Sequence, residues 1–194
     1  MIKSDLKKII LFASGSGTNV EAIVKYFAKE IQVSIELLVC NNLKAKVVQK
    51  AKAFKINTLI VNRKIFYDSH ETLTVISKIK PDLIVLAGFL WKIPGYLTEV
   101  YTNKIINIHP ALLPKFGGKG MYGINIHKKV IEQNEIQSGI TIHYVNKNYD
   151  EGEVIFQKAI NIKTDETAEE LSLRILKLEH KFFPLTIHKL LKIE

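Results

Sequence analysis

Asn107, His109 and Asp150 are the residues of this chain whose types and spacing suit chemistry. Asn107 and His109 lie two apart in the segment Lys104–His109 (KIINIH), which Pro110 ends. In a strand, side chains alternate, so the Asn107 amide and the His109 imidazole leave one face while Ile108 points into the core. An amide donor and a titratable ring then share the C-terminal end of a strand, where open α/β sheets bind their ligands. Asp150, in the turn YDEGE, is able to reach the same crevice. Each also has a plain reading, as a packed histidine and a turn-forming aspartate.

Ser14-Gly15-Ser16-Gly17-Thr18-Asn19 offers a second kind of chemistry. Small residues between a strand and a helix let backbone N–H groups approach an anion, and the helix dipole adds favourable potential. There is no Gly-Lys-Ser/Thr, so this is not a P-loop, and Val20 stands where a dinucleotide fingerprint has its third glycine. The following strand ends in Cys40-Asn41-Asn42 with no carboxylate for a ribose hydroxyl. A phosphate is the expected ligand; a tight turn that needs glycine for geometry alone is the alternative.

The elements that must hold these residues are legible in the apolar periodicity. Strands are expected at Lys7–Ala13, Val33–Cys40, Thr58–Val61, Asp82–Ala87 and Lys104–His109, with helices at Thr18–Glu30, Lys44–Phe54 and Tyr67–Ile79 between them. This βαβ series predicts a doubly wound, mostly parallel twisted sheet of Rossmann-like α/β class. After Pro114 come a Gly-rich loop (KFGGKGMYG), a helix about Ile124–Gln133, strands at Ser138–Val145 and Glu153–Ile160, and a long helix about Thr167–Leu191. Thr164 and Thr167 are the cap candidates for that last helix. No linker or internal repeat divides the chain. We read one domain over 1–194, with a nucleotide- or phosphate-binding half (1–103) and a catalytic and folate-site half (104–194).

The 28 Lys+Arg exceed the 19 Asp+Glu by nine, yet the lysines are dispersed singly and in pairs, which favours a small anionic substrate over nucleic acid. A single cysteine, Cys40, forms no internal disulfide, and reads as a buried apolar-like residue in a cytoplasmic protein. The apolar run after Met1–Lys8 is too short for a secretory leader, and no stretch approaches the ~20 apolar residues of a membrane span. The histidines show no metal-ligand spacing, so no metal is expected.

Five stretches, in order, carry a resemblance: SGSGTNVEAI, LIVLAGFLWKI, INIHPALLPKF, SGITIHYVNKNYDEGEVIFQ and LEHKFFP. Through them the chain is similar, over essentially its whole length, to the folate-dependent formyltransferases, and among these to the phosphoribosylglycinamide formyltransferases of purine synthesis. The resemblance implies formyl transfer from 10-formyltetrahydrofolate, a cosubstrate and not a tightly bound cofactor, to the amine of 5-phosphoribosylglycinamide. It assigns catalysis to Asn107, His109 and Asp150, and the ribonucleotide to Gly15, Ser16, Gly17, Thr18, Asn19 and Glu179. The folate falls to Leu90, Trp91, Lys92, Ile93 and Asn107. His70 stands where some members carry a folate-contacting arginine, and takes that place among the folate candidates. Lys119, in a loop that departs from members with Pro-Gly and a further histidine, is a candidate anion contact. His143 reads as a packed histidine or a border of the folate site, His127 as structural or surface, and Trp91 as pocket wall or core.

The same resemblance implies the rivals. A deformylase would use water in place of the amine, but those proteins normally carry an N-terminal regulatory domain. A methionyl-tRNA formyltransferase would need a C-terminal RNA-binding domain, and a non-catalytic RNA- or nucleotide-binding module has no use for the three catalytic residues. The expected partners are small molecules, with no nucleic acid and no membrane, for a monomer or homodimer.

Overall fold

A computed structural model describes residues 6–193. The Met1–Asp5 part of the N-terminal reading, including Lys3, and Glu194 at the chain end lie outside the described residues. The chain forms β1 (Lys7–Ala13), α1 (Thr18–Phe27), β2 (Val33–Cys40), α2 (Lys46–Ala53), β3 (Asn57–Ile60), α3 (Glu71–Ile79), β4 (Leu83–Leu86), α4 (Gly95–Val100) and β5 (Ile105–His109). After these come α5 (Ile124–Glu132), β6 (Gln137–Tyr144), β7 (Val154–Asn161) and α6 (Ala168–Leu191).

The sheet runs β3-β2-β1-β4-β5-β6-β7. Its first five strands are mutually parallel; β6 pairs antiparallel with β5, and β7 antiparallel with β6. The chain winds outward from β1 to β3, returns, and continues from β4 to the other edge, so a crevice opens between the ends of β1 and β4. There the Ser14 N–H donates to the Gly88 carbonyl at 3.0 Å, and the Leu90 N–H to Ser14 Oγ at 2.9 Å. The anion-cradle turn and the segment after β4 are thereby tied together.

Both faces of the parallel strands are covered, which explains their nearly unbroken apolar runs. Ile9, Leu11, Val85, Ile106 and Ile108 pack on one face with Val20, Ile23, Val47, Ile126, Leu171, Ile175 and Phe183. Ile10, Phe12, Val39, Ile84 and Ile105 pack on the other with Phe66, Ile76 and Leu97. Leu11 is fully buried, and its replacement by Ala would cost ~2–5 kcal/mol.

The long helix begins where a sequence cap was expected. Thr167 Oγ1 accepts from the Glu170 N–H at 3.2 Å while the Thr167 N–H donates back to Glu170 at 2.9 Å, a complete capping box. Pro184 lies inside α6, where it offers no N–H to the turn before it.

Two expectations change. The helix expected over Tyr67–Ile79 is interrupted: a wide π-type turn spans Lys64–Asp68, and α3 starts only at Glu71. Ser69 causes the break, with extended backbone and its Oγ donating to the Ile65 carbonyl at 2.9 Å. The short α4 had no signal in the sequence reading, because six residues are too few for an apolar period to show.

Candidate active site

Asn107 and His109 share one face of β5, as alternation requires, and Ile108 points into the core beneath α1 and α6. Beside them lies a cavity of about 580 Å³, lined by parts of the cradle, the strand ends after β4 and β5, the Gly-rich loop, α5 and α6. Of the residues singled out in the sequence, Ser16, Asn19, Leu90, Asn107, His109, Lys119, His127, Asp150 and Glu179 meet there.

His109 is almost wholly buried. Its Nε2 is 2.8 Å from the Phe116 carbonyl, which accepts only from an Nε2–H, and its Nδ1 faces Asp150 Oδ2 at 3.7 Å. Burial pushes the His109 imidazole below its ordinary value, and the neighbouring Asp150 carboxylate opposes but does not cancel this. Asp150 sits in a left-handed turn conformation open to Asp, and accepts from the Gly118 N–H at 2.9 Å. Burial works against its ionisation, but the rings of His143 and His109 and the Gly118 N–H outweigh it and hold the carboxyl below the usual range.

His143 is a packed histidine, as its sequence suggests, and it is packed directly beside two of the candidate residues. It stands opposite Asn107 in the β5–β6 register, with the Asn107 Nδ2 3.1 Å from its Nε2. Its Nδ1 donates to the Tyr144 carbonyl at 2.8 Å, and its Nε2 lies 3.6 Å from Asp150 Oδ1. The spacing of His143 and Tyr144 on an alternating strand carried no signal of this; only the pairing of β6 with β5 does. Thr141 was also missed. Its Oγ1 donates to the Ala111 carbonyl and accepts from the Leu113 N–H and from Gln157, and so fixes the chain leaving β5.

At the other end of the cavity, Gly17 caps α1 in the left-handed region at φ 68°, and a Cβ there would strike Val47. The helix has no side-chain cap, so the first-turn N–H groups keep their capacity for an anion. Gly15, Gly17 and Thr18 form this turn without lining the cavity; Ser16 and Asn19 do line it. Asn19 Nδ2 donates to Glu179 Oε2 at 2.8 Å, while Asn19 Oδ1 is buried without a partner. Burial raises the Glu179 carboxyl to about 7, against the Asn19 hydrogen bond.

The remaining expected residues lie apart from the cavity lining. His70 meets the Tyr96 ring edge-on at 5.0 Å. Trp91 packs on Phe66 and Phe89 beneath the Arg63 guanidinium, 5.1 Å from the ring centre. Ile93 is in the core. Lys92 extends over the ring of Tyr149, which does line the cavity. Among the described residues there is no cluster of three or more His, Cys, Asp or Glu fit to hold a metal ion, and no helix long and apolar enough to cross a membrane.

Comparison with known proteins places this site in company. The family model described as "Formyl transferase" matches residues 7–187. The phosphoribosylglycinamide formyltransferase of Bacillus subtilis (strain 168) is 40% identical over 192 residues, 96% of this chain and 95% of the relative. The chloroplastic enzyme of that name from Arabidopsis thaliana is 38% identical over 91% of this chain, which spans 63% of that longer protein. Among solved structures, the phosphoribosylglycinamide formyltransferase of Bacillus halodurans superposes with a TM-score of 0.86 at 36% identity, covering 95% of each chain. Glycinamide ribonucleotide transformylase 1 of Symbiobacterium toebii gives 0.87 at 27% identity, over 99% of this chain and 92% of that one.

Proposed function

The chain belongs to the formyl transferase family, and from that membership we propose that it transfers the formyl group of 10-formyltetrahydrofolate to the amine of 5-phosphoribosylglycinamide, in purine biosynthesis. The observation that carries this reading is the geometry of one cavity: Asn107, His109 and Asp150 at one end, an uncapped helix N-terminus with Asn19 and Glu179 at the other. Such a cavity suits a substrate with a phosphate at one end and a reacting amine at the other.

In this mechanism the α1 N-terminus and the Gly15–Asn19 turn take the phosphate, and Asn19 and Glu179 take the ribose. The folate lies against Leu90 and Asn107, along the Leu90–Ile93 segment, with His70 toward its outer end. The amine lone pair attacks the formyl carbon and the carbonyl pair moves onto oxygen. Asn107, whose second amide N–H is left over after His143, donates to that oxyanion, joined by the His109 Nε2–H once the formyl oxygen replaces the Phe116 carbonyl. Donors of this kind are worth ~10²–10³ in rate. Asp150, ionised, relays a proton from the amine through water, and the folate nitrogen is protonated as its bond to the formyl carbon breaks. With burial the stronger influence, His109 acts here as a neutral donor.

The protein works on small molecules in the cytoplasm, as a monomer or homodimer, with no tightly bound cofactor. The described residues act as one domain, with phosphate binding in the half up to residue 103 and the catalytic residues in the half from 104 on. The test is loss of formyl from 10-formyltetrahydrofolate with and without the ribonucleotide, products identified. Formyl on the ribonucleotide amine, and none lost without it, is the expected result. Formate released equally in its absence would make water the acceptor and overturn the reading.

A further inference from the structure

His127 has a use that neither its position in the sequence nor the mechanism above assigns. It lies in the first half of α5, only 3% exposed, and lines the same cavity as His109, together with Ile126 and the α6 residues Ile175 and Leu176. No described side chain or carbonyl hydrogen-bonds to it. Its Nδ1 is sealed from the cavity and has no partner, so Nε2 is the nitrogen that can meet a ligand. A buried lone pair without a donor is tolerated better than a buried N–H without an acceptor, which puts the proton on Nε2. Burial drives the ring down to about 4, with a smaller push from His109 when that ring is protonated, so it is uncharged in neutral solution. The cavity therefore presents a neutral, pre-positioned donor amid apolar walls.

We propose that His127 is a specificity-determining residue that donates its Nε2–H to the amide carbonyl oxygen of the glycinamide arm. This rests on the formyl-transfer reading and names what the same cavity recognises. The chemistry of the amine substrate selects that atom. The reacting amine must keep its lone pair for attack, and a donor on it would slow the reaction. The phosphate belongs to the α1 end, and the ribose hydroxyls to Asn19 and Glu179. The acceptor that remains beside the amine, one carbon away, is the amide carbonyl. An uncharged donor suits it, because a cation in so buried a place would lack a partner. Amines of similar size without that carbonyl would leave the Nε2–H unpaired and be rejected.

The test compares wild type, His127→Phe and His127→Gln, using phosphoribosylglycinamide and its thioamide, in which a weakly accepting sulfur replaces the carbonyl oxygen. His127→Phe is expected to raise the KM of the amide substrate ~10–30-fold, with kcat within about threefold and the folate KM unchanged. His127→Gln regains most of that loss. With the thioamide, wild type is expected to show the raised KM, and His127→Phe adds less than about threefold to it. Penalties that multiply, or a loss spread equally over kcat and both KM values, would overturn the assignment. If His127→Phe does not fold, ¹⁵N NMR of the histidine rings of wild type decides: the His127 Nε2–H signal moves on adding the ribonucleotide, and no movement overturns the proposal. Wild type that formylates with multiplying penalties loses only the His127 assignment. Wild type that does not formylate the ribonucleotide takes the reading beneath down as well.

Discussion

The side-chain amide of Asn107 donates to Nε2 of His143 across the β5–β6 pair, at 3.1 Å, while the other nitrogen of that ring is committed to the Tyr144 carbonyl. The Tyr144 contact fixes which ring nitrogen accepts, the acceptor fixes which way the amide points, and the second amide N–H is left for the cavity. His143→Leu is therefore expected to lower kcat by ~10–10²-fold with smaller changes in either KM. His143→Gln, which keeps an acceptor, should recover part of the rate; full activity in the Leu variant would show that Asn107 orients itself.

Direct removal of the donors is the stronger intervention. Asn107→Ala and His109→Ala are each expected to reduce turnover by at least ~10²-fold, with unchanged far-UV circular dichroism and a cooperative melt. A near-normal rate in either variant would remove that residue from the chemistry.

Glu179 ties stability to pH. Its folded carboxyl titrates near 7, above the ordinary 4.5, so the folded state holds a proton that the unfolded chain releases between those values. Stability from this group is full below about pH 4.5 and is lost as pH rises through 7. Glu179→Gln removes the loss, and should stabilise the protein at pH 8 by up to roughly 3 kcal/mol relative to wild type, and by little at pH 4.5. Thermal melts at the two pH values read this out; an equal shift at both would separate the effect from the proton.

The Gly-rich loop separates steric from backbone demands. A Cβ on Gly117 would come 2.7 Å from Leu113 Cδ2 and 3.2 Å from the Asp150 Cβ, whereas one on Gly118 meets nothing but requires φ +97°. Gly117→Ala should displace Asp150 and reduce kcat about tenfold, at a stability cost of ~1–3 kcal/mol. Gly118→Ala should cost ~1 kcal/mol or more through its backbone alone and shift the loop that donates to Asp150. Comparing kcat with melting temperature for the pair distinguishes the two routes.

The parallel half of the sheet was legible because burial on both faces leaves long apolar runs between Gly- and Pro-marked turns, and β1 and β2 fall at the expected residues. Asn107 and His109 were legible because a period of two fixes their common face. His143 and Thr141 were not, since their partners arrive from β5 and the chain after it, and strand pairing is written nowhere in local periodicity. His127 was hidden for a related reason: a histidine on an apolar helix face looks like packing until the cavity beside it is seen. The aromatic cluster under Trp91 shows the reverse case, residues expected near the folate that spend much of their surface on one another.

The loop contacts at the catalytic end have a bearing on which amines are left alone. The Phe116 carbonyl already takes the N–H of His109, and the Gly118 N–H already serves Asp150. A newcomer at either place exchanges one hydrogen bond for another, at nearly no gain. What tips the exchange must come from a distance, from a phosphate seated at the start of α1. Free glycinamide carries the right nucleophile but has nothing to seat there. In the proposed reaction an amine without a phosphate therefore adds no binding energy toward the exchange by which the formyl oxygen takes the His109 N–H from Phe116, even where it is small enough to enter.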